Sequence, residues 1–232
     1  PGRGGGGGDD SSRAREGHGG GAVRIEASDT VTVNGGGILA NGENGGYHMG
    51  GGSGGGIHIS CRTLAGSGPV QASGGTGVGG GGGGRVAVIY DPDAQNNAPL
   101  PAVVFAVAGG KGVTGGFGPY DGDLGTLFFP DSQLLTRQTG GVMHSGRWMP
   151  ALAHWERDSL LMTNAWLRFA DGFHLTVTNG LAVCGTDNRL HKLEVTNGAV
   201  SVGGDIRVQS ASIILRSSEN SGAVLQCGGD LT

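Results

Sequence analysis

Gly21-Ala22-Val23-Arg24-Ile25 recurs as Gly55-Gly56-Ile57-His58-Ile59 and again as Gly84-Arg85-Val86-Ala87-Val88, at spacings of 34 and 29 residues. Each copy opens on glycine and then alternates apolar with other side chains, the pattern of a half-buried strand. Behind the first copy, Val31-Thr32-Val33-Asn34-Gly35-Gly36-Gly37-Ile38-Leu39-Ala40-Asn41-Gly42 matches Leu64-Ala65-Gly66-Ser67-Gly68-Pro69-Val70-Gln71-Ala72-Ser73-Gly74-Gly75 behind the second. A unit of several strands returning every 20 to 50 residues marks a solenoid, propeller or array.

The later chain repeats with less glycine. Leu175-Thr176-Val177-Thr178-Asn179-Gly180 returns as Leu193-Glu194-Val195-Thr196-Asn197-Gly198, and Gly203-Gly204-Asp205-Ile206 as Gly228-Gly229-Asp230-Leu231. Those spacings suit one coil of a parallel β-helix. About nine coils, each advancing roughly 4.8 Å, would make a rod about 40 Å long. The expected fold is therefore all-β, a parallel β-helix or solenoid with glycine-rich loops, with Asn179 and Asn197 as a coil-to-coil turn ladder. Asn-Gly is also the signature of a tight hairpin, so a β-sandwich is the alternative. Pairing of strands one repeat apart separates the two.

Of 232 residues 53 are glycine, and 41 of these lie in residues 1 to 130. This divides the chain into a glycine-rich zone at 1–130, a junction at 131–166 and a tighter strand stack at 167–232. Runs such as Gly79 to Gly84 bring no side chains to bury and lose the most backbone entropy on ordering. Two readings are open for them: extended polyproline-II-like strands bonding laterally through bare backbone, or long flexible loops.

Charge excludes some functions. A formal net charge of -4 offers no basic stripe for nucleic acid, and no apolar run reaches the roughly 20 residues that span a bilayer as a helix. Beginning at Pro1-Gly2-Arg3 and ending at Leu231-Thr232, the chain reads as an excised segment. The expected partners are further copies stacked end to end, or the rest of a longer chain, with polysaccharide as a second class.

The succession Gly52-Ser53-Gly54-Gly55-Gly56-Ile57-His58-Ile59, then Leu64 to Gly75, then Gly79 through Arg85-Val86-Ala87-Val88-Ile89-Tyr90 resembles glycine-rich repeats of very large surface proteins of environmental bacteria. Gly125-Thr126-Leu127-Phe128-Phe129 looks like the strand closing such a module. The resemblance covers residues 17–130. It implies an extracellular or cell-surface β-rich repeat protein and brings no catalytic residues with it.

Candidate sites follow from residue types. All three tryptophans, Trp148, Trp155 and Trp166, fall in 142–173 beside Phe169 and Phe173. They are either a sugar-stacking platform or interior filling. Asp91, Asp93, Asp121 and Asp123 resemble pieces of calcium loops but lack the completing Gly and Glu positions. Glu156 and Asp158 have the sequence spacing of two carboxylates on one strand face, which a polysaccharide-degrading enzyme requires. Cys61, Cys184 and Cys227 are odd in number, and Cys184 with Cys227 is the one pair entertained as a disulfide. No Gly-x-Gly-x-x-Gly match precedes a helical period, so none is a phosphate loop. The expected role is structural, a building block of a filament, fibre or matrix. The alternatives are an adhesin or carbohydrate-binding module and a β-helical enzyme.

Overall fold

Alternation in the quoted strands puts Val23, Ile57 and Val86 on one face and Arg24, His58 and Ala87 on the other, and the structure keeps that assignment. A computed structural model of the chain describes residues 15–46, 48–113, 120–131, 133–134, 146–148, 153–163, 166–169, 171–185 and 191–232. The protein is all-β with parallel sheets: every described strand pair is parallel, which removes the β-sandwich alternative. It divides into two compact units, Pro1–Phe129 and Pro130–Thr232.

In the first unit, β1 (Ala22–Glu26), β4 (Gly56–Ser60), β7 (Arg85–Ile89) and β9 (Thr126–Phe128) pair in that order. Val23 registers with Ile57, Ile57 with Val86, and Val86 with Leu127, so the 34- and 29-residue spacings are strand registers. A second sheet joins β2 (Thr30–Val33) to β5 (Thr63–Gly66), and a third joins β3 (Ile38–Leu39), β6 (Pro69–Gln71) and β8 (Val104–Ala106). Val31 lies on Leu64 and Ile38 on Val70. The offset falls from 33 to 32 because turn 34–37 holds one residue more than turn 67–69. Inward rows from the three sheets supply the core: Ile59, Leu64, Val70, Val88, Phe105 and Phe129 are fully buried, and Phe105 meets Phe129 edge-on at 4.8 Å.

The described glycine runs pack as extended chains bonded every third residue, the period of a polyproline II helix. Gly17 and Gly20 donate to the carbonyls of Gly50 and Ser53; Gly51 and Gly54 donate to Gly79 and Gly82; Gly80 and Gly83 donate to Tyr120 and Asp123. These runs form one layer. The segments at 40–46, 71–77 and 106–112 form a second, through Gly42 and Gly45 donating to Ser73 and Thr76, then Gly74 and Gly77 to Ala108 and Lys111. Bonds between the layers run antiparallel, as in Gly52 to Glu43 with Gly55 to Ala40, and Gly81 to Gly75 with Gly84 to Ala72. A Cβ on Gly81 would overlap the carbonyl oxygen of Gly52, and one on Gly84 that of Gly55, whereas at Gly79 and Gly82 it meets nothing within 4 Å. Three residues per turn thus give two faces that demand glycine and one that does not.

After β7, the chain forms a single turn of helix, α1 (Pro92–Asn96), capped by the Asp91 carboxylate on the amides of Asp93 and Ala94. It positions Gln95, which is buried. The Gln95 Oε1 accepts from the Leu64 amide at 2.7 Å and its Nε2 donates to the Leu64 carbonyl at 3.2 Å. The side-chain amide thereby makes the two bonds that a neighbouring strand would make to β5.

In the second unit, β10 (Arg147–Trp148), β12 (Trp166–Arg168), β14 (Lys192–Thr196) and β17 (Ser212–Arg216) pair in order. The other sheet stacks β11 (His154–Thr163), β13 (His174–Cys184), β15 (Ala199–Val202) and β18 (Val224–Cys227), with β16 (Ile206–Gln209) on the far half of β13. Residues 131–166, which the sequence sets apart, thus contribute β10 and β11 to these sheets. Gly203-Gly204-Asp205-Ile206 lies directly under Gly228-Gly229-Asp230-Leu231: Gly228 and Gly229 donate to Val202 and Gly204, and the Asp205 carboxylate accepts from the Asp230 amide. The 18-residue repeat has a different outcome. Leu175 registers with Val200 while Leu193 registers with Leu167 and Ile213, so the two copies belong to different sheets. The core is side-chain filled: Phe173 is fully buried and stacks on Phe169 at 4.0 Å, with Trp155 edge-on to Phe169 at 6.3 Å.

Candidate functional site

Outward positions on four consecutive strands of the first unit form a trough. Registers align Ala22, Gly56, Arg85 and Thr126 in one row and Arg24, His58, Ala87 and Phe128 in the next. A cavity of about 530 Å³ lies over these rows. It adjoins a second of about 580 Å³ floored by the glycine runs at 20–21, 54–56 and 83–84, and the two share Ala22, Gly56, Arg85 and Thr126. The trough runs across the strands, so it meets each pass of the chain once. At Gly21 and Gly56 a Cβ would meet nothing within 4 Å, so the floor is open at backbone level.

Its charge is positive and unevenly compensated. Arg24 is hydrogen-bonded and ion-paired with Glu26, and that guanidinium holds the Glu26 carboxyl below its ordinary range, with a smaller contribution from His58. Arg85 is exposed and has no ion-pair partner among the described residues. The Nδ1 of His58 is buried without a hydrogen-bond partner. Phe128 is half-buried and lines the same trough. These residues lie inside the strands that reveal the repeat. The signal that finds them is the register, which turns outward positions of separate strands into adjacent side chains.

The tryptophans have another role. Trp155 and Trp166 are 6% and 7% exposed, so neither offers a ring face to a sugar; the side chain of Trp148 lies outside the described residues. Trp166 is held between the Arg147 guanidinium at 4.5 Å and the Lys192 ammonium at 4.2 Å from its ring centroid. These three residues share one row on β10, β12 and β14. The stack is a cation-π sandwich on the outward row of these strands, opposite the face of Leu167 and Leu193, and the two cations cover the ring that a platform would present.

Asn179 and Asn197 do not stack on one another. Asn179 lies within β13, whereas Asn197, at φ 49°, donates from Nδ2 to Asp171 and accepts at Oδ1 from the Ser218 amide. The ladder is Asp171, Asn197 and Ser218. The Cys184–Cys227 bridge is absent: all three thiols are free. Cys184 registers with Gln209 on β16 while Cys227 registers with Val202 on β15, on opposite sides of the Gly203-Gly204 corner.

Of the acidic candidates, Asp91 and Asp121 use their carboxylates in local hydrogen bonds, and Asp93 and Asp123 accept through the backbone. Asp91 caps α1, the Asp93 carbonyl accepts from Asn97, and Asp121 accepts from the Gly112 amide. Asp123 bonds through its backbone carbonyl to the Gly83 amide. Among the described residues, no three or more His, Cys, Asp or Glu side chains group as metal ligands. Glu156 is exposed and pairs with His154 at 3.0 Å. Asp158 is also exposed and falls at a register shift between Arg157 and Ser159, where β13 has one residue more than β11. Comparison with known proteins finds no matching family model, curated protein or solved structure.

Proposed function

We propose that the chain is a stretch of a parallel β-solenoid with an architectural role outside the cell, a building block of a surface filament, fibre or matrix. The supporting observation is the register. Each strand lies on its equivalent one repeat away, from Val23 through Ile57 and Val86 to Leu127 and, in the second unit, from Leu175 through Val200 to Leu225. In such an arrangement each added repeat buries the face of the one before it, so stability grows with length. The glycine layers add backbone bonding in directions that an ordinary sheet lacks, which stiffens the element without side chains. A stiff module with alternating rows of small residues is suited to spacing and packing.

The test is imaging. Negative-stain electron microscopy and sedimentation of the purified chain over a concentration series are expected to give elongated particles that lengthen with concentration. A compact, dilution-stable monomer at every concentration would remove the filament reading. An enzymatic role is tested separately: loss of polysaccharide cleavage on Glu156→Gln would establish it.

A further inference from the structure

We infer that the trough across β1, β4, β7 and β9 binds a linear acidic polysaccharide, a uronic acid polymer, lying perpendicular to the strands. Its direction comes from the rows. Arg24, His58, Ala87 and Phe128 succeed one another one strand at a time, at steps of roughly 4.8 Å. A ligand lying along them meets the same backbone at every step, so the matching partner is an extended polymer of short repeat. The glycine floor has no side chains at Gly21 and Gly56, so a flat ring can descend onto the peptide plane, whose Gly56 N–H is already bonded to the Gly21 carbonyl, and contact it face to face.

Charge selects the class. Arg85 faces the trough without an ion-pair partner among the described residues and His58 lines it, while Arg24 shares its charge with Glu26. A guanidinium matches a carboxylate bidentately, and the half-buried Phe128 ring offers a surface for the apolar face of a pyranose. An extended peptide fits less well. Peptides that add to sheets pair with an edge and need pockets for alternate side chains, whereas this site is a sheet face with an open floor.

The experiment is isothermal titration calorimetry of the whole chain with a size series of linear oligouronates, alongside their fully methyl-esterified counterparts. Affinity is expected to rise with length until the trough is spanned, and the esters to bind roughly tenfold more weakly or worse. Arg85→Gln and Phe128→Ala each weaken binding by about that factor. Gly56→Leu, placed where a Cβ meets nothing, blocks the floor and abolishes binding with circular dichroism unchanged. Lys111→Ala, on the other glycine layer, leaves binding as it was. Equal affinity for acid and ester, insensitivity to both Arg85→Gln and Gly56→Leu in folded protein, or no binding to either series would overturn the inference. None of these outcomes bears on whether the chain forms filaments.

Discussion

The two units reach the same parallel register by different means. The second fills the space between its sheets with Phe169, Phe173, Trp155 and aliphatic rows. The first does so around Phe105 and Phe129, but much of each repeat carries no side chains and instead bonds backbone to backbone between two glycine layers. A side-chain core tolerates some repacking when one residue shrinks. A backbone core tolerates no growth, because the closest neighbour of each inward glycine is a backbone atom, most often a carbonyl oxygen, that cannot rotate away. Burial of side chains and close approach of chains are thus separate routes to one register, with opposite sensitivities to mutation.

The sharpest way to break this comparison is to shrink one unit and enlarge the other. Phe173→Ala is expected to cost the second unit about 3 to 5 kcal/mol. Urea unfolding followed by tryptophan fluorescence reads it selectively, because all three tryptophans lie at 148–166 and all three tyrosines at 47–120. Next comes the smallest possible enlargement. Gly81→Ala is expected to destabilise the first unit by about 3 kcal/mol through overpacking, while Gly82→Ala, one residue along, is neutral or stabilising by about 0.4 to 1 kcal/mol. Amide exchange across 72–84 measures both. Similar effects at the two positions would sink the three-faced packing.

Gln95→Leu keeps the bulk and removes the amide, leaving the Leu64 N–H and C=O without those partners. The expected loss is about 1 to 3 kcal/mol, accompanied by faster exchange of the Leu64 amide. Asn197→Ala removes both side-chain bonds and leaves a non-glycine residue at positive φ, for a loss of about 1 to 2 kcal/mol in the second unit.

The smallest effect is a pH dependence. Burial, partly offset by a backbone hydrogen bond from Val31, raises the Cys61 thiol above its ordinary value. Its folded form therefore holds the proton longer than its unfolded form. The stability from the neutral thiol is intact below the ordinary thiol value of about 8.5 and declines as pH rises beyond it. Cys61→Ala should flatten the alkaline limb of the first unit's stability curve. Native alkylation should label Cys227, which is exposed, ahead of Cys61, which is buried.

Much of the strand register was legible in advance, and for a local reason. Val23, Ile57 and Val86 sit at equivalent places in near-identical strings, and parallel stacking pairs equivalents. Leu175 and Leu193 belong to different sheets although Val-Thr-Asn-Gly follows closely on both, inside β13 and at the end of β14, because similarity of sequence does not say which sheet a strand joins. The glycine packing could be posed as a question but not answered, since a run of glycines carries no record of its neighbours. Gln95 was invisible: after Asp91-Pro92-Asp93 it reads as a turn residue, and only the fold brings it beside Leu64, 31 positions earlier. The trough was hidden for a similar reason, as Arg85 and Phe128 are 43 residues apart, and the tryptophans drew attention by rarity while their burial depends on what lies over them.

Gln95 also has a consequence for the company the protein keeps. An open β-strand is a template on which any passing extended chain can crystallise, and proteins at high local concentration run that risk constantly. By presenting Leu64 with a counterfeit peptide group, Gln95 makes that rim of β5 unreadable to strangers.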